Sequence, residues 1–126
     1  MIVVDTSAFL AIAFNEEDSD HFVQVLSDND LCISAGTLSE LYIVAENRNV
    51  QDLIDTMIDG TAIEVVPVDR DTTNLVRHAY ITWGKGYHKA GLNFGDCFAY
   101  ALAVQRDLPL LFKGEDFAKT DVKRAA

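Results

Sequence analysis

The chain is short of cations, cysteines, prolines and long apolar stretches, and each shortage removes a class of protein. Ten Lys and Arg face twenty Asp and Glu, for a net charge of −10. Nucleic-acid binders are usually basic, so this balance argues against a broad electrostatic grip on a phosphate backbone. The only cysteines, Cys32 and Cys97, fall in predicted core segments, and no Cys or His pair has zinc-ligand spacing. Buried free thiols in a reducing cytoplasm are expected, not a zinc site or a disulfide framework. Two prolines and seven glycines in 126 residues leave no linker, repeat or low-complexity tract, so a single domain over 1–126 is expected. Apolar runs such as Ala8–Phe14 fall well short of the about 20 residues that span a bilayer. The start, Met1–Asp5, has no basic region and meets a carboxylate too early for a signal peptide.

What is present is an alternation of short β-branched runs and amphipathic stretches. Met1–Val4, Leu31–Ser34, Ala62–Val68 and Leu108–Phe112 read as strands, with Pro67 breaking the third near its end. Helices are predicted after Asp5, over Asp20–Leu26, from Thr37 to about Arg48, over Val50–Ile58, over Thr72–Trp83 and from Asn93 to about Arg106. Such alternation predicts an α/β fold with a parallel sheet and helices on both faces. Sites in these folds lie beyond the carboxyl ends of the strands. Four acids stand at strand ends or helix starts: Asp5, Glu40, Asp96 and Asp116.

Each acid also has a local structural reading. Thr37-x-x-Glu40 and Asn93-x-x-Asp96 fit capping boxes, acids in a first turn suit the helix dipole, Asp5 can satisfy turn amides, and Asp116 can be solvated. Caps explain one residue at a time and leave the convergence unexplained. A cluster of oxygen ligands suits Mg²⁺ or Mn²⁺, which activate water and offset charge on a phosphate. Thr6, Ser7 and Asn93 are placed to orient those carboxylates. The basic residues Lys85, His88 and Lys89 lie in the glycine-punctuated stretch Gly84–Gly91 and are candidates for substrate contact.

Val3-Val-Asp-Thr-Ser-Ala8, Ile33–Glu40, Gly91-Leu-Asn-Phe-Gly-Asp-Cys-Phe-Ala-Tyr-Ala101 and Leu111-Phe-Lys-Gly-Glu-Asp-Phe117 together resemble PIN-domain proteins, above all the VapC-type toxins of toxin–antitoxin pairs. The likeness runs through the whole chain in the family's order, and the Asn93–Tyr100 segment is its most specific part. It implies a PIN-like three-layer fold with a five-stranded parallel sheet, the fifth strand drawn from Thr120–Arg124. It implies a Mg²⁺- or Mn²⁺-dependent endoribonuclease, an RNA substrate, a homodimer and a cognate antitoxin protein. Carried over by position, Asp5 and Asp96 are metal ligands, Glu40 binds directly or through water, and the fourth acid is Asp116, Glu115 or Asp121.

Two other readings stay beside this one. A phosphatase or phospho-acceptor domain could use Asp5, but a haloacid-dehalogenase phosphatase wants a second aspartate where this chain has Ser7, and a receiver wants an acidic pair that is missing. A catalytically silent binding module is the third, and the intact carboxylate set counts against it. His21 and His78 read as exposed helix-face residues, and Trp83 and Tyr80 as core or dimer surface. The stripes Phe22–Leu26 and Leu53–Ile58 read as core first and as an antitoxin groove second.

Overall fold

A computed structural model describes all 126 residues. Four parallel strands form one sheet: β1 (Ile2–Val4), β2 (Leu31–Ser34), β3 (Glu64–Val66) and β4 (Leu110–Leu111), in the order β3-β2-β1-β4. Six helices connect them: α1 (Thr6–Ala13), α2 (Ser19–Asp28), α3 (Ala35–Asn47), α4 (Gln51–Gly60), α5 (Arg70–Trp83) and α6 (Phe94–Arg106). Alternation along the strands builds two cores. Ile2, Val4, Leu31, Ile33 and Leu111 face helices α1–α4, joined by Phe9, Leu41 and Ile54. Val3, Cys32 and Leu110 face α5 and α6, joined by Ala79, Cys97, Leu102 and Phe117. The three-layer α/β expectation holds, and both cysteines are buried and free.

The sheet has four strands, not five. Thr120–Arg124 reaches its edge at a single parallel bridge between Leu110 and Arg124. The reason is local: the Thr120 hydroxyl donates to the Phe117 carbonyl and accepts from the Val122 amide, and Asp121 is drawn to the Tyr100 hydroxyl. These side-chain bonds hold the segment in turns after the short 3₁₀ helix Phe117–Lys119, so only its end meets the ladder. β3 is shorter than expected because Pro67 has no N–H to continue pairing. α3 starts at Ala35, capped by Ser34, whose Oγ accepts from the Gly36 amide at 3.2 Å. Thr37 and Glu40 therefore lie inside the helix and form no capping box. The Asn93–Asp96 box is real in both directions.

Candidate active site

The carboxyl ends of β1 and β2, the first turn of α6 and the segment after β4 meet at one edge. Asp5 is the N-cap of α1 and only 3% exposed. The Ser7 amide and hydroxyl both donate to Asp5 Oδ2, at 3.0 and 2.6 Å. That hydroxyl also accepts from the Lys113 amide at 3.0 Å, tying the β1 exit to the β4 exit. The Thr6 hydroxyl donates to Glu40 Oε1 at 2.8 Å. Glu40 lies against the first turn of α6 so closely that a Cβ on Gly95 would sit 1.9 Å from Oε2. Asp96 accepts from the Asn93 amide at 3.0 Å. Asp116 stands exposed where the segment after β4 enters its 3₁₀ turn.

Electrostatics shows that these groups share a field. Burial pushes the Asp96 carboxyl up to about 7, and Asp5, Asp116 and Glu40 add to the rise. Burial raises Asp5 as well, against the Ser7 hydrogen bonds, with Glu40 adding repulsion. No Lys, Arg or His forms an ion pair with any of the four. The nearby Lys113 ammonium is held by Glu16 and Asp18. The charges converge, yet no three acidic, His or Cys groups close around a common point. Each is held back by its own bonds: Asp5 by Ser7, Glu40 by Thr6, Asp96 by Asn93. The donor set is wholly oxygen, which fits a hard divalent cation and not zinc.

The three candidates for a fourth acid have different surroundings. Asp116 is felt at Asp96, whereas Asp121 is occupied by Tyr100 and Glu115 points no hydrogen bond into the centre. Lys85, His88 and Lys89 make no hydrogen bond or ion pair with the carboxylates. His88 builds its own turn, accepting from the Ala90 amide at 2.9 Å, with its ring 4.8 Å from Trp83. Trp83 donates to the Tyr100 hydroxyl at 2.9 Å, so it is tied into the fold and is no base platform. Asp5, enclosed and doubly bonded through Oδ2, is poorly placed as the nucleophile a phosphatase would need.

Gly95 and Lys113 were not among the expected site residues. Glycine in a helical turn costs roughly 0.5–1 kcal/mol against alanine, so its presence beside Asp96 signals a close approach. Nothing in sequence marks the Lys113 amide as the partner of Ser7, because that contact spans the sheet.

The chain matches the sequence model of the PIN domain over residues 2–123. It is similar to the VapC ribonuclease Mb0640 of Mycobacterium bovis, 40% identical over 129 residues and covering 99% of this chain and 98% of that protein. It is also similar to the ribonuclease VapC of Mycolicibacterium smegmatis, 41% identical over 125 residues, with 96% and 97% covered. Among solved structures it resembles VapC20 of Mycobacterium tuberculosis, a sarcin-ricin loop cleaving toxin, at a TM-score of 0.79 and 14% identity over 97% of this chain and 96% of that one. A toxin–antitoxin complex from Klebsiella pneumoniae gives 0.71 and 16%, covering 96% and 93%. At such identities the structural likeness speaks for the fold. The sequence likeness goes further, and the chain belongs to the PIN-domain family, among its VapC ribonucleases.

Proposed function

We propose that this VapC-family chain, acting as one domain over 1–126, is a metal-dependent endoribonuclease and the toxin of a toxin–antitoxin pair. The observation that carries the reading is a pair of desolvated carboxylates, Asp5 and Asp96, with no Lys, Arg or His paired to either. Asp5 and Asp96 would hold Mg²⁺ or Mn²⁺, with Glu40 binding directly or through water and Asp116 from the rim. When bound, the ion lowers the pKa of water and offsets charge on the phosphate. The protein's own contribution is placement. Ser7 orients Asp5, Thr6 orients Glu40 and Asn93 orients Asp96, and a bound ion would draw these oxygens inward from the positions the hydrogen bonds give them. Asp96, with its carboxyl near neutrality, must give up its proton before it can bind a cation.

The antitoxin would dock in the groove of about 490 Å³ between α1, α2 and α4, where Ile12, Val23, Leu26 and Met57 form the apolar floor. Phe22, Ile54 and Ile58 from the same stripes are core. Asp30 lines the groove and Asp59 stands exposed beside it, suiting a basic amphipathic segment. A homodimer and a cytoplasmic setting complete the proposal; no helix is long and apolar enough to cross a membrane.

The test is incubation of antitoxin-free protein with structured RNAs and Mg²⁺ or Mn²⁺. Internal cleavage that a chelator abolishes is expected. Intact RNA in both metals, from folded protein, overturns the reading.

A further inference from the structure

Phe94, Cys97 and Phe98 share one face of α6, at i, i+3 and i+4. With Val68, Val76 and Tyr80 they line an apolar groove of about 420 Å³ beside α5. Phe94 is 71% exposed, more than any other large apolar residue of the chain. Its ring meets Phe98 edge to face with centroids 5.0 Å apart. Phe98 is backed by α3 at Gly36, where a Cβ would lie 2.5 Å from the ring. The pair forms a braced aromatic shelf open to solvent.

The rim of this groove is cationic. Arg77 and Thr73 line it, and Arg70 and Asn74 continue the same surface of α5. Neither arginine pairs with a carboxylate; Arg77 donates to Asn74 at 2.6 Å. The adjacent Asp69 is occupied, accepting from the Thr72 amide and hydroxyl at the start of α5. In a chain with twenty acids and ten bases, two unpaired arginines beside an aromatic shelf call for an anion carrying a flat ring. The acidic centre flanks the other side of the same first turn, through Gly95 and Asp96, about one helix diameter (~10 Å) away.

We propose that this groove is a nucleobase subsite. A base close to the cleaved phosphodiester stacks on Phe94, and Arg77 with Arg70 takes phosphates of the same strand. Unstacked bases of single-stranded RNA favour aromatic rings with arginine beside them. The inference rests on the ribonuclease reading and deepens it, because a base held here sets which linkage reaches the carboxylates.

The test uses full-length protein carrying Asp96→Asn to stop turnover, with fluorescence anisotropy on the four RNA homopolymers and on an abasic ribose-phosphate strand of equal length. Phe94→Ala should weaken at least one homopolymer about 5- to 160-fold, the range of a lost base–aromatic stack, and leave the abasic strand unchanged. Phe94→Trp should retain binding. Arg77→Ala should weaken all strands and lower the salt slope by about one. Unchanged homopolymer binding by Phe94→Ala overturns the subsite, as does a halved solution mass, which would give the groove to a second copy of the chain. Unmutated protein is assayed for cleavage in parallel: if it cleaves while Phe94→Ala binds normally, the subsite alone falls. If it cleaves nothing, the ribonuclease reading falls and takes the subsite with it.

Discussion

The exits of β1 and β4 each present a carboxylate at the same edge of the sheet, by opposite means. Asp5 is buried, caps α1 and receives two hydrogen bonds from Ser7. Asp116 is exposed and makes no capping bond at the 3₁₀ turn it precedes. Burial fixes an oxygen in place, but it raises the energy of the charge that the oxygen must carry. Exposure leaves the charge solvated and the position adjustable. The β1 side is therefore the rigid half of the centre, and the β4 side is the half that can yield to an incoming strand.

The largest expected contrast follows from this. Asp5→Asn should lower RNA cleavage by orders of magnitude, because it removes a fixed ligand. Asp116→Asn should lower it only about tenfold, the scale of an outer ligand. Single-turnover rates at saturating Mg²⁺ and Mn²⁺ compare the two. Equal losses would abolish the distinction between a rigid and an adjustable side.

Ser7→Ala attacks the link between the exits. It removes the donor to Asp5 and the acceptor of the Lys113 amide together. The expected cost is about 1–3 kcal/mol in urea unfolding, for the Lys113 amide left without its acceptor and buried Asp5 left with the Ser7 amide alone. Cleavage should fall about 10- to 100-fold through misplacement of Asp5. An unaffected rate with lost stability would confine Ser7 to the fold.

Gly95→Ala separates stability from activity more finely. The new Cβ favours the helix by up to about 1 kcal/mol, yet it meets Glu40 Oε2, the end of a flexible side chain. The fold should hold or gain slightly while cleavage falls. Thermal melting and cleavage of the one variant give both signs.

Legibility in the sequence follows the range of the contacts. Asp5 after four apolar residues and Asp96 three residues after Asn93 are local patterns, and the structure keeps Asp5 as the N-cap of α1 and Asp96 as the capping-box partner of Asn93, with Asp5 adding to the rise at Asp96. The strands and helices were visible for the same reason, from their periodicity. The capping pattern that offers Glu40 a local structural reading does not form, since Ser34 starts the helix earlier; its place near a strand end and the family resemblance single it out. Asp121, one of the three candidates for a fourth acid, accepts from the Tyr100 hydroxyl 21 residues away, a contact that no local pattern announces. The fifth strand, expected from resemblance alone, shrinks to one bridge because side-chain bonds at Thr120 and Asp121 hold the backbone in turns.

The metal-free fold should also depend on pH. The Asp96 carboxyl is raised from 3.8 to about 7 in the folded state, so the folded protein binds the proton more tightly than the unfolded chain. Its stabilising effect is complete below the unfolded value and is lost as pH rises through about 7. The raised Asp5 carboxyl acts in the same direction. Chelator-treated protein should resist urea better at pH 5.5 than at pH 8, and Asp96→Asn should flatten that slope. A slope of the opposite sign would mean that the carboxylates are not desolvated together.

The central claim is that these carboxylates form a divalent-metal site, and Mn²⁺ titration of chelator-treated protein tests it most directly, by calorimetry and thermal melting on the unmutated chain and on Asp96→Asn. The unmutated protein should bind Mn²⁺ and gain about 2.7 kcal/mol at a hundred times its dissociation constant. Without metal, Asp96→Asn should be at least as stable as the unmutated chain, because the new side-chain amide oxygen can still accept from the Asn93 backbone N–H while one charge leaves the cluster, and Mn²⁺ should no longer shift it. An unmutated protein that binds no Mn²⁺ and melts at the same temperature in millimolar metal would contradict the claim, as would an Asn variant that binds the ion equally well.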